Sequence, residues 1–167
     1  MTRYRHLADL QPLVGQAIGV SDWITVDQAR IDAFAVATGD HQWIHTDPAR
    51  AAAGPFGATV AHGFLTLSLL PEMGDSAFQI DDVGMGVNYG LDRVRFPAPV
   101  RSGSRLRGHF VLQEYRVLDG GAQLAVEVTL EIEGGAKPAC VAVSLTRRFV
   151  APQASPMGGS AGAHAPA

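Results

Sequence analysis

From Leu124 to Glu133 the chain alternates. Leu124, Val126, Val128, Leu130 and Ile132 are apolar, and Ala125, Glu127, Thr129, Glu131 and Glu133 fall between them. A period of two sends the two sets to opposite faces, so this stretch predicts a half-buried strand with one wet face. Asp119-Gly120-Gly121 just before it reads as a hairpin turn from a strand over residues 106–118. Gly134-Gly135 leads to a last strand over 139–150. Residues 83–96 supply another, with Asn88-Tyr89-Gly90 inside it.

Before residue 82 the period is helical. Thr25-Val26-Asp27-Gln28 fits a capping box, with Thr25 as N-cap and Gln28 reaching back, and Ile31, Phe34 and Ala35 follow at helical spacing. Gly39 is the expected stop, because glycine adopts the left-handed conformation that ends helices, so Asp40 opens a loop. Asp47-Pro48 reads as N-cap and first position of a short helix through Ala53, broken by Gly54-Pro55-Phe56-Gly57. A longer helix is predicted from near His62 into the mid-seventies. Phe64, Leu65, Leu67, Leu69, Leu70 and Met73 cover most of its circumference, which predicts burial on nearly every side. Pro71 is a place where it can kink or end.

One buried helix followed by four strands, several joined by hairpin turns, predicts an α+β fold in which an antiparallel sheet curls around the helix. The 167 residues, 47% apolar and 17% charged, suit one domain with a sizeable core, expected over residues 1–150. Residues 151–167 are rich in Pro, Gly, Ser and Ala without an apolar period and are expected to be a disordered tail.

A net charge of −3 offers no global attraction to nucleic acid or anionic membrane. The longest apolar run is too short to span a bilayer, and the N-terminus lacks the apolar stretch of a signal peptide. A cytoplasmic protein with neither nucleic-acid nor membrane partners is therefore expected. The lone Cys140 sits in an apolar run and is expected to be a buried, inert thiol.

Two sites carry candidate chemistry. Asp40 and His45 lie five positions apart, just past a helix stop. One reading is local: Asp40 caps a turn and His45 is a partly buried polar residue. The other is that both hold one water, which an imidazole can deprotonate and a carboxylate can orient. His62-Gly63 opens the long helix, where the first backbone N–H groups lack internal acceptors and can stabilise a developing oxyanion. The alternative is that Gly63 merely permits close packing. His41 and His45 have i,i+4 spacing, but nothing matches an HExxH pattern, and no metal site is expected. Gly84-Met85-Gly86 lacks the third glycine of a dinucleotide loop. Arg93, Arg95, Arg101, Arg105 and Arg107 form either a solvated face or a surface for substrate phosphates.

Taken together, residues 38–47 (Thr-Gly-Asp-His-Gln-Trp-Ile-His-Thr-Asp), Ala61-His62-Gly63-Phe64 and residues 89–100 (Tyr-Gly-Leu-Asp-Arg-Val-Arg-Phe-Pro-Ala-Pro-Val) resemble the MaoC-like (R)-specific enoyl-CoA hydratases, more narrowly their NodN-like branch. The resemblance implies a hot-dog fold, with an antiparallel sheet wrapped around a long central helix, and a homodimer. It implies reversible syn hydration of a trans-2-enoyl-CoA thioester to the (R)-3-hydroxyacyl-CoA. No cofactor is implied, since CoA is part of the substrate. Asp40 and His45 match the catalytic pair, and Gly63 the glycine whose N–H binds the thioester oxygen. Substrate contacts are expected from His62, Trp43, Tyr89, Arg93 and Arg95. The chain departs from the hydratase signature in having Gln42-Trp43 where that signature has Asn-Pro, so a bulky Trp43 is expected to reshape the acyl pocket. Two other readings remain at this point. One is a hot-dog acyl-CoA thioesterase. The other is a noncatalytic acyl-CoA or acyl-carrier binding protein, which would need neither Asp40 nor His45.

Overall fold

Alternation along the second half of the chain does build strands. In a computed structural model, which describes residues 1–152, the elements follow in this order. β1 (Thr2–Tyr4) and a 3-10 helix (Leu7–Leu13) precede β2 (Ala17–Val20) and β3 (Ile24–Val26). Helices α1 (Gln28–Thr38), α2 (Trp43–Thr46), α3 (Pro48–Ala52), α4 (Gly63–Ser68) and α5 (Leu70–Ala77) follow. Then come β4 (Phe78–Ile80), β5 (Val83–Arg95), β6 (Ser104–Leu118), β7 (Gly121–Ile132) and β8 (Cys140–Val150). The main sheet runs β2-β6-β7-β8-β5, with β3 also on β6, and every pairing in it is antiparallel. A second, two-stranded sheet pairs β1 with β4 in parallel. The residues expected to form a disordered tail lie, from 153 onward, outside the described residues.

The inner face of the main sheet is where the core sits. Ala122, Leu124, Val126, Val128 and Leu130 of β7 are buried, as their period requires. Leu106, Phe110 and Leu112 of β6 and Cys140 and Ala142 of β8 join them against Leu65 of α4, Leu70, Met73 and Ala77 of α5, and Leu69 between the two helices. Truncating one of the fully buried leucines to Ala is expected to cost about 2–5 kcal/mol. The hairpin between β6 and β7 closes through Asp119-Gly120, with Gly120 at φ +68°.

Two local expectations need correction. The N-cap of α1 is Asp27, whose carboxylate accepts from the Arg30 N–H at 2.9 Å, and not Thr25. Thr25 is held in β3 opposite Arg105, so the helix begins only where that ladder ends. The predicted long helix is two segments that meet at Leu69. Pro71 does not end it. It lies in the first turn of α5, where a missing N–H costs nothing. Nor is the pair buried all round, because Phe64 is 73% exposed on the side that faces away from the core.

Candidate active site

Asp40 is delivered by the end of α1. Gly39 takes φ +77° and its N–H bonds the Ala35 carbonyl at 2.8 Å, which stops the helix and throws Asp40 into an exposed loop. Asp40 Oδ1 accepts from the Gln42 N–H at 3.4 Å. Oδ2 lies on the side of His62, 4.0 Å from Nε2, and has no hydrogen bond among the described residues.

His45 sits in the single turn of α2 and is only 7% exposed. Its Nδ1 lies 2.6 Å from the Val60 carbonyl. A carbonyl oxygen only accepts, so Nδ1 carries the hydrogen, and the tautomer this selects is the one whose Nε2 is unprotonated. The Val60 segment is itself pinned. The Val60 N–H bonds the Ile44 carbonyl, and the Ala61 N–H bonds the Val100 carbonyl.

His62, 3% exposed, stacks on His45 with ring centroids 3.7 Å apart and planes at 26°. Its Nε2 lies 2.9 Å from the Asp40 carbonyl and donates to it. Among the described residues Nδ1 has no partner. Phe34 of α1 packs on the same ring at 5.1 Å. His62 therefore stands behind the candidate pair, bracing the ring of His45 and the main chain of Asp40.

One further residue escaped the sequence reading. Gln28, read there as half of a capping box, uses its amide to join three elements. Nε2 donates to the His45 carbonyl and to Asp32, both at 2.8 Å, and Oε1 accepts from the Thr59 hydroxyl. No spacing in the sequence signals this, because the partners lie 17 and 31 positions away.

Ligand atoms of Asp40, His45 and His62 all lie within 4.8 Å of one another. Among the described residues no hydrogen bond joins the Asp40 and His45 side chains directly, and one bridging water can span such a gap. A carboxylate and two imidazoles are also metal-ligand types. Here, though, His62 Nε2 and His45 Nδ1 both face carbonyls, which leaves one nitrogen on each ring for other use.

Gly63 opens α4, with His62 as its N-cap, so its N–H has no acceptor within the helix. It borders a recess of about 250 Å³ lined also by Phe56, Thr66, Phe96 and Val100. A Cβ on Gly63 would lie 3.0 Å from the Phe96 ring, so close packing is part of the reason for glycine here.

The remaining candidates lie elsewhere in this chain. Trp43 packs over Gly54, with the Arg50 guanidinium 4.3 Å from its ring, and lines none of the described recesses. Tyr89 is exposed on β5, under the Arg147 guanidinium at 3.6 Å. The arginine cluster divides. Arg105 and Arg107 pair with Glu133 and Glu131 and lie over Trp23, a neutralised outer face. His109 and Arg107 hold the Glu131 carboxyl below its usual range by hydrogen bonding. Arg93 and Arg95 are exposed on β5 and belong to no ion pair among the described residues. Arg93 takes φ +53° within an irregular stretch of that strand.

Known proteins are similar to this chain in sequence and in fold. The chain is 51% identical over 148 residues to 3-hydroxyacyl-thioester dehydratase Z of Mycobacterium tuberculosis, covering 88% of this chain and 98% of that protein. It is 55% identical over 145 residues to nodulation protein N of Rhizobium leguminosarum bv. viciae, covering 84% and 89%. The fold matches the solved structure of the R-hydratase PhaJ1 from Pseudomonas aeruginosa with a TM-score of 0.67 over 95% of this chain and 97% of that one, at 21% identity. The sheet and its central helix are thus a hot-dog fold. Matched over residues 9–135 by the family described as MaoC like domain, the chain belongs to the MaoC-like dehydratases.

Proposed function

We propose that this protein is an (R)-specific enoyl-CoA hydratase that adds water reversibly to trans-2-enoyl-CoA thioesters. One observation carries the reading. Asp40 and His45 stand within reach of a single water, and the Val60 carbonyl fixes the tautomer of His45 that leaves Nε2 free to take a proton. The name of the mycobacterial dehydratase, a 3-hydroxyacyl-thioester dehydratase, supports the thioester substrate.

In the proposed reaction the Gly63 N–H hydrogen-bonds the thioester oxygen and draws electron density from the conjugated double bond, making C3 electrophilic. The water held by Asp40 and His45 attacks C3 as the pair accepts its proton. A proton returns to C2 on the same face, which gives syn addition. The reverse direction is dehydration of the 3-hydroxyacyl thioester. The groups used are protein side chains, one backbone N–H and water.

A homodimer belongs to the same proposal. β5 is a sheet edge, and Met85, Val87, Tyr89 and Leu91 on it are exposed, as is Phe64 beside it. A long apolar edge calls for a cover, and a second copy supplies a matching one.

Absorbance at the enoyl-thioester band with crotonyl-CoA tests the activity. Loss of that band with the thioester intact supports hydration. Release of free thiol would identify a thioesterase instead, and binding without turnover a noncatalytic acyl-CoA carrier.

A further inference from the structure

The inner face of β8 changes character along its length. Cys140 and Ala142 are buried, as a core face requires. The next three residues on that face are Ser144, Thr146 and Arg148. On β5 Asn88 pairs with Thr146 and Gly86 with Arg148, which adds a polar side chain and a gap. These groups face α5. They form one wall of a cavity of about 250 Å³ whose other wall includes Leu70, Phe110 and Leu124.

Arg148 is the unusual member. Its Nε is buried and, among the described residues, has no hydrogen-bond partner. Burial weakens its hold on the proton, and the nearby Asp75 works against that. Asp75 is exposed and forms no ion pair with it within 4.0 Å among the described residues. Gly86 makes the placement possible, because a Cβ there would lie 2.5 Å from Arg148 Nη1. A buried donor without an acceptor is costly, and the guanidinium fork matches a carboxylate with two parallel hydrogen bonds.

The cavity also adjoins a second recess along the helix. It shares Leu70, Pro71, Asn88 and Ser144 with a recess of about 420 Å³ that reaches Phe64, next to Gly63. From Gly63 to Gly74 the helical segments cover roughly 16 Å at 1.5 Å per residue, a length suited to a medium acyl chain.

We propose that the cavity between α5 and β8 receives the far end of the thioester's acyl chain and selects one that ends in a carboxylate, bound by Arg148 with Asn88, Ser144 and Thr146 beside it. This inference rests on the hydratase reading above. The apolar wall carries the methylene chain, and the polar wall takes the terminal charge.

Calorimetric titration with decanoyl-CoA and its ω-carboxy analogue tests it, since neither is a substrate for hydration. The wild-type protein is expected to bind the carboxylate-ended chain roughly ten- to hundred-fold more tightly. Arg148→Met abolishes that advantage, and Arg148→Lys, which keeps the charge without the fork, retains part of it. Gly74→Val fills the cavity from the helix side, where an added Cβ meets only Phe110 Cε1 at 3.9 Å, and weakens both chains. Equal binding of the two thioesters by the wild type overturns the proposal, and so does an advantage that survives Arg148→Met in a folded variant. Wild-type turnover of crotonyl-CoA separates the two readings. Its absence sinks the hydratase assignment, whereas normal turnover without a carboxylate preference sinks this inference alone.

Discussion

His45 and His62 lie ring on ring, with centroids 3.7 Å apart and planes 26° from parallel. The two imidazoles have opposite tasks. His45 bonds inward through Nδ1 to the Val60 carbonyl and keeps Nε2 free. His62 is buried behind it and spends Nε2 on the Asp40 carbonyl. One ring thus fixes the positions of both members of the candidate pair.

His62→Ala is expected to lower kcat about ten-fold or more with a smaller change in KM, because positioning and not substrate binding is lost. It also removes the donor to the Asp40 carbonyl, at an expected cost of about 1–3 kcal/mol. Steady-state kinetics with crotonyl-CoA and a melting curve check both. A folded variant with wild-type kcat would remove His62 from the site.

Asp40→Asn and His45→Gln should each reduce hydration about a hundred-fold or more, the scale of a lost general acid or base. Their stability effects should differ. The Asp40 side chain is exposed, while His45 is buried and bonded to Val60. Circular dichroism and the same assay decide the matter. Near-wild-type rates in either folded variant would exclude the proposed mechanism.

Gly63→Ala is expected to lose much of the activity together with some stability. The added methyl meets the Phe96 ring at 3.0 Å and also narrows the approach to the N–H. A double-mutant cycle with Phe96→Leu separates the two causes. If Phe96→Leu restores the melting temperature but not the rate, substrate contact is the reason for glycine. If both return, packing is.

Leu91→Glu or Val87→Glu should shift a dimer toward monomer, since each places a charge on the exposed apolar edge of β5. Light scattering at micromolar concentration measures it. A wild-type protein that is already monomeric and fully active would end the dimer proposal.

Burial pushes the Cys140 thiol up to about 11. The native protein should therefore resist a thiol reagent at pH 8 and react promptly once unfolded. The folded value lies above the ordinary one, so stability is retained below about pH 9 and declines as pH rises toward 11. Cys140→Ala should flatten that decline. Rapid labelling of the folded protein would show that the thiol is accessible.

Local chemistry made much of this protein legible in the sequence. Alternation marked β7 and its buried face. Asp119-Gly120, Gly39 and Asp47-Pro48 marked a hairpin, a helix stop and a helix start, because each acts through the dihedral angles and hydrogen bonds of its own neighbours. The same locality explains why Asp40 and His45 stood out as a pair. Where partners lie far apart in the chain, the tertiary structure decided. Pairing of β3 with β6 moved the N-cap from Thr25 to Asp27. Contact between residues 15 positions apart set the tautomer of His45, and Gln28 became the tie among α1, His45 and Thr59. Folding also set the ion-paired outer face of Arg105 and Arg107 apart from Arg148, whose Nε is buried at a cavity wall, a difference of environment that spacing along one chain does not encode.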